Sequence, residues 1–207
     1  MKRFVVCCLL IVLFSATLFA GSNSMHGFVG AEFRASYTKT KYDSFDSEFE
    51  YKGYDIVLNG ANYLFGLPFG IFYDFTLFEA PWSINKDGVT RNISSLDSYT
   101  LMELQNLRFG LSYKMRVNRK VFFVTNAGID VRHRDINLFE QDIEGYIFGA
   151  TLEPLFLVSL EETNHVNLKV GCSAYLPLYC DEKFDGTSTD KIKGFGLTGS
   201  VGVSYVY

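Results

Sequence analysis

Six residues near the end of the chain, Gly194-Phe195-Gly196-Leu197-Thr198-Gly199, spell the G-x-G-x-x-G of a dinucleotide site. That chemistry needs a helix after the glycines, so that a pyrophosphate meets the helix N-terminus. Here Ser200 to Tyr207 go on alternating small and bulky residues. The stretch is therefore a strand, and a nucleotide site is not expected. Two acidic stretches, Asp43, Asp46, Glu48 and Glu50, then Asp181, Glu182, Asp185 and Asp190, offer the oxygens that calcium takes. Their spacing matches no EF-hand, and solvated acidic loops are the better reading. Trp82, beside Pro81, is either a binding anchor or the packing centre of a long loop. The remaining candidates are charges of both signs set among small residues: Glu32, Arg34, Asp74, Arg108, Lys114, Asp130, Arg132, Glu153 and Lys169.

What positions those charges is a period of two that recurs along the chain. On one face of the first run stand Val29, Ala31, Phe33, Ala35 and Tyr37; on the other, Gly30, Glu32, Arg34, Ser36 and Thr38. Strict alternation makes a strand with two unlike faces. Further runs cover 53–66, 69–77, 99–115, 121–134, 146–158, 166–176 and 194–207, eight in all. The fourth changes phase near Gln105 and Asn106, where a bulge would restore it. Connections after runs two, four and six are short, whereas 41–52, 80–98, 135–144 and 181–193 are longer and polar. Pro154 falls inside run six and Pro177 at the end of run seven, where a missing donor needs an explanation. A bulge at Pro154 and a place above the membrane band for Pro177 would supply it.

Residues 1–20 form a unit of their own: Lys2 and Arg3 precede an apolar run, and Ser15, Ala16 and Ala20 close it. This is the layout of a cleaved signal peptide, leaving 21–207 as one domain. Its removal takes the formal charge from −4 to −6, which excludes a nucleic-acid partner of the usual basic kind. The exported chain keeps Cys172 and Cys180. On one extended strand they lie about 27 Å apart, beyond disulfide reach.

The same alternation could close around a greasy ligand in a soluble, periplasmic, lipocalin-like barrel. The distribution of bulk argues for the opposite orientation. A water-facing wall would carry long Lys and Glu in place of so many Gly, Ser and Thr. An inner wall of an eight-stranded barrel, barely wide enough for its own side chains, needs small residues beside charges that pair across the lumen. Twenty Phe and thirteen Tyr supply two outward girdles: Tyr37, Tyr54, Tyr146 and Phe195 toward the long loops, and Phe69, Tyr113, Phe156, Tyr205 and Tyr207 toward the short turns. The expected fold is all-β: an eight-stranded antiparallel up-and-down transmembrane barrel behind a signal peptide, in the bacterial outer membrane.

The chain end carries a resemblance. Val201, Val203, Tyr205 and Tyr207 resemble the final strand of the small outer-membrane barrels of the OmpA, OmpX and OmpW group. That resemblance implies an assembly signal read by the barrel assembly machinery. It also implies a monomer in outer-membrane lipid, without cofactor or metal, acting through outer loops that take an extracellular ligand, or in adhesion or envelope integrity. An OmpW-like barrel passing a small, apolar solute is the alternative. Some barrels of this kind deacylate lipid A with an outward His followed two residues later by Ser. Here His133 is followed by Arg134 and Asp135, and an enzyme is not expected; His26 and His165 belong to the opposite rim.

Overall fold

A computed structural model of the chain describes residues 25–43, 46–64, 67–92, 105–138 and 141–207. The expected signal peptide lies outside them. The strands are β1 (Gly27–Tyr42), β2 (Ser47–Tyr63), β3 (Phe69–Lys86), β4 (Val89–Asn92), β5 (Gln105–Arg116), β6 (Val121–Leu138), β7 (Gln141–Ser159), β8 (Val166–Phe184), β9 (Thr187–Thr189) and β10 (Ile192–Val206). All pairings are antiparallel, in the order β1-β2-β3-β5-β6-β7-β8-β10, and β10 returns to pair with β1. The ring has eight strands; β4 and β9 are hairpin returns beside β3 and β8.

The alternation sets the faces as a closed barrel requires. Phe33, Leu111, Leu152, Val170 and Val203 are exposed on the outside, while Arg34, Ser112, Glu153, Lys169 and Ser204 are buried within. So continuous an apolar outer belt far exceeds what a monomer presents to water. Outward rings pair across strands in two bands. Phe69 meets Tyr113, Phe123 meets Phe156 and Tyr205 stacks on His165 toward the short turns. Toward the long hairpins Tyr37 meets Phe195, and Tyr54 meets Trp82.

Three expectations are corrected. The polar stretches expected as long loops are largely strand, because β1 to β3 and β6 to β8 continue as hairpins beyond the apolar belt, with charges on their outer face. Trp82 accordingly stands on β3 and not in a loop. The β5–β6 ladder keeps one register from Gln105 onward, so no bulge interrupts it at Gln105 and Asn106; the rest of that run, 99–104, is outside the described residues. The bulge expected at Pro154 falls at Pro177 instead. The β7–β8 ladder shifts register beside Pro177, between Phe148 and Gly149, whereas at Pro154 it lapses between Leu152 and Leu155 and resumes unshifted. A bulge frees one amide from pairing and so absorbs a proline; where no residue is inserted, the missing N–H leaves a gap. Tyr207 keeps its outward parity: it lies across Gly27 in the same rung and donates its hydroxyl to Asn62, which leaves it only 8% exposed.

Candidate functional site

The lumen holds three stacked tiers. In the middle, Arg34 reaches from β1 to the carboxylates of Glu32, Asp74 and Glu153. Lys169, from β8, sits 2.7 Å from Glu32 and 3.8 Å from Glu153. Arg108 donates from Nε to Asp130 at 2.9 Å and lies 4.0 Å from Asp74. Arg132 also meets Asp130, at 3.2 Å, and its guanidinium lies 3.7 Å from the Tyr175 ring centre. Asn126 donates to the second oxygen of Glu153 at 2.8 Å. These partners come from β1, β3, β5, β6, β7 and β8, so the network ties facing walls together. Small residues make the room: a side chain at Gly149 would strike the Tyr175 ring, 2.3 Å away.

Eight of the nine lumen charges read from sequence meet in this network. Lys114 does not. Its ammonium donates to the Met25 carbonyl and lies 4.3 Å from the Tyr63 ring centre, near the short-turn end. The carboxylates of Glu32, Asp74 and Glu153 converge within 4.8 Å, a spacing that could hold a cation. Arg34 and Lys169 already sit among them, and these supply the counter-charge that a metal would bring.

Below the ionic tier the lumen is apolar. Met25, Phe28, Ala61, Tyr63, Phe72, Val124, Leu155, Leu157 and Val206 pack into one buried cluster. The Lys169 ammonium lies 5.8 Å from the Phe28 ring centre, where the tiers meet. Above the ionic tier a second cluster gathers Tyr42, Phe49, Ile143, Ile147, Tyr175, Cys180, Phe184 and Ile192. Within it Tyr42 donates to Glu182 at 2.6 Å and accepts from Arg134 at 2.9 Å. Burial, then the Glu182 charge, pushes the Tyr42 hydroxyl well above its ordinary range; burial works against Arg134, but Tyr42 and Glu182 outweigh it and hold the guanidinium up.

Sequence reasoning missed this upper tier because bulges change parity. On β8 the buried positions are odd-numbered up to Pro177 and even-numbered from Cys180 to Phe184, and Leu178 and Tyr179 both point out at the register shift. On β3, Leu77 and Phe78 are both exposed, after which Glu79 turns inward and accepts from Asn106 at 2.8 Å. The lower tier had a readable signal. Val121-Phe122-Phe123-Val124 and Leu155-Phe156-Leu157-Val158 are apolar on both faces, the mark of strands buried on both sides.

Outside the lumen, the former loop acids are matched by lysines. Lys39 reaches Glu48 at 2.6 Å and Glu50 at 3.2 Å, Lys41 reaches Asp46 at 2.7 Å, and Lys193 reaches Asp43 at 2.7 Å. His133 faces outward against Tyr146, Asp135 stands where the deacylase pattern has its serine, and Arg134 between them is committed to Tyr42.

No family model and no curated protein sequence matches the chain. Solved structures do. Neisserial surface protein A superimposes with a TM-score of 0.57 at 13% identity, over 90% of this chain and 100% of that one. The outer membrane protein OprG from Pseudomonas aeruginosa gives 0.56 at 12% identity, over 90% of this chain and 98% of that one. The fold is that of a small outer-membrane β-barrel. In such a barrel the short turns and both chain ends face the periplasm and the long hairpins face outward. In this chain the apolar tier lies at the short-turn end of the lumen, and the Tyr42–Glu182–Arg134 tier at the long-hairpin end.

Proposed function

We propose that this chain is a bacterial outer-membrane barrel with a plugged lumen, acting through its extracellular hairpins in adhesion or envelope integrity, without enzymatic chemistry. One observation carries the reading. The side chains of Glu32, Arg34, Asp74, Arg108, Asp130, Glu153 and Lys169 are no more than 4% accessible. Charges lining a water-filled channel would be hydrated, whereas buried charges persist only when paired. The pairing described above meets that condition, and an apolar tier below and an aromatic tier above support closure in series. Refolded protein in planar bilayers is expected to give no stable single-channel conductance. A large, steady conductance would overturn the plug.

A second reading, passage of a small apolar solute sideways through the wall, is favoured by the lapse of the β7–β8 ladder at Pro154. Pro154→Ala restores a donor there. Solute uptake that depends on the protein and falls in this variant would support lateral passage; unchanged uptake in a deletion strain would remove it.

The chain end is proposed as the signal for barrel assembly, with Val201, Val203, Tyr205 and Tyr207 as its outward face and Tyr207 latched across Gly27 to Asn62. The barrel assembly machinery is the partner this implies. Replacing Tyr205 with Asp is expected to leave secretion intact and abolish outer-membrane insertion.

A further inference from the structure

One stretch of the outer wall is not convex. A groove of about 670 Å³ crosses β7, β8, β10 and β1, and its lining is almost wholly apolar. Its floor is a single rung of small residues. Ala35 pairs with Gly199 and Gly199 with Cys172; Pro154 follows across the gap in the next ladder. Bulky neighbours wall it on both sides, Tyr37, Leu197 and Leu152 above, and Phe33, Val201, Val170 and Phe156 below. Packing does not demand the glycine in this floor. A Cβ at Gly199 would meet nothing within 4 Å, unlike one at Gly202, which would strike the Ala31 carbonyl at 2.3 Å.

The groove has a direction. Following the rung, the height above the short-turn end of each strand increases steadily, from five residues on β7 at Pro154 to eight on β1 at Ala35. Across three strand spacings the trough is about 14 Å long. At the strand tilt of such barrels it descends about 9 Å, more than half of one leaflet's hydrocarbon depth. Its upper end is marked by Trp82, Tyr37 and Lys52, which line the same groove. Lys52 is exposed, with its ammonium 6.0 Å from the Tyr37 ring centre, and it makes no ion pair among the described residues. Lys39, Lys41 and Lys193, which also project beyond the belt, are each matched by carboxylates.

We propose that this trough seats one acyl chain of an anionic phospholipid in the extracellular leaflet, with the lipid phosphate on Lys52. The shape admits one chain, and among the described residues that line its head end there is one uncompensated cation, Lys52, beside interfacial aromatic rings, the complement of a lipid with a single phosphate. A polyphosphorylated glycolipid with several chains would need more cations than this end presents.

Trp82 is the only tryptophan of the chain and lines the groove, so it reports occupancy directly. The full chain is folded into phosphatidylcholine vesicles containing a tenth of brominated phosphatidylglycerol or, in a parallel set, a tenth of brominated phosphatidylcholine, and quenching of Trp82 is compared. The anionic lipid is expected to occupy the quenching site about fivefold more readily, the factor one lysine near a charged headgroup supplies. Lys52→Gln should abolish the preference. Gly199→Leu, which fills the floor, should reduce quenching by both lipids. Heat-dependent migration on a gel verifies that each variant is a folded barrel; a wild-type chain that fails to fold there disproves the barrel itself, a different outcome from absent lipid preference. Equal quenching by both lipids overturns the proposal, leaving ordinary annular lipid. So does efficient Cys172–Cys172 cross-linking between barrels in the membrane, because the occupant is then a second copy of this chain.

Discussion

The ionic middle of the lumen and the apolar tier beneath it fill the same barrel by opposite means. Around Arg34, close packing is achieved by matching Arg34, Arg108 and Lys169 each to two carboxylates contributed by other strands. Around Phe72 and Leu155, it is achieved by shape alone. The two differ in how they fail. Deleting one member of a charge network leaves its partners buried and uncompensated, whereas deleting one apolar side chain leaves a cavity. The ionic tier is therefore brittle and specific in its partners, and the apolar tier is graded and tolerant.

The sharpest break of that contrast is Arg34→Met, which leaves Glu32 and Glu153 only Lys169, and Asp74 only Arg108 at 4.0 Å, as cation partners. Denaturant unfolding in lipid vesicles should show a loss of about 3–5 kcal/mol, and adding Asp74→Asn to the same chain should recover part of it. Leu155→Ala, in the apolar tier, should cost about 2–5 kcal/mol, toward the low end if neighbours collapse into the space. No accompanying charge change should restore it. Recovery of Leu155→Ala by a charge substitution, or none for the Arg34 pair, would show that the tiers do not differ as described. Tyr42→Phe is the mildest test. It removes the donor to Glu182 and the acceptor for Arg134 while keeping the ring against Phe49 and Phe184. The expected loss is about 1–3 kcal/mol in the same assay, since the partner groups are charged and buried.

Cysteine chemistry sharpens the inside–outside distinction without touching stability. Cys172 is exposed on the outer wall, and Cys180, eight residues along the same strand, is buried with its thiol 3.6 Å from the Thr189 carbonyl. A membrane-permeant maleimide should label Cys172 in the folded barrel and Cys180 only after unfolding. Equal labelling of both would contradict the parity change at Pro177.

Much of this barrel was legible in order of residues. Two-residue periodicity places Phe33 and Arg34 on opposite faces whatever the rest of the chain does, because successive side chains of a strand point apart. Eight such runs, with short and long connections in turn, suffice for the ring, and mixed charges among glycines suffice to put Arg34, Asp74, Glu153 and Lys169 inside it. Which charges meet is another matter. Arg34 and Glu153 are 119 residues apart, and only the closing of β10 on β1 and β8 fixes the distances across the lumen. Tertiary structure alone also decided that Lys114 leaves the network, that Tyr207 latches across Gly27 to Asn62, and that Glu79 and Glu182 turn inward. An inserted residue at a bulge reverses every face beyond it, and where the insertion falls depends on how the neighbouring strand is paired. The groove over Gly199 has the same origin: its small residues come from separate strands, and register alone brings them into one rung.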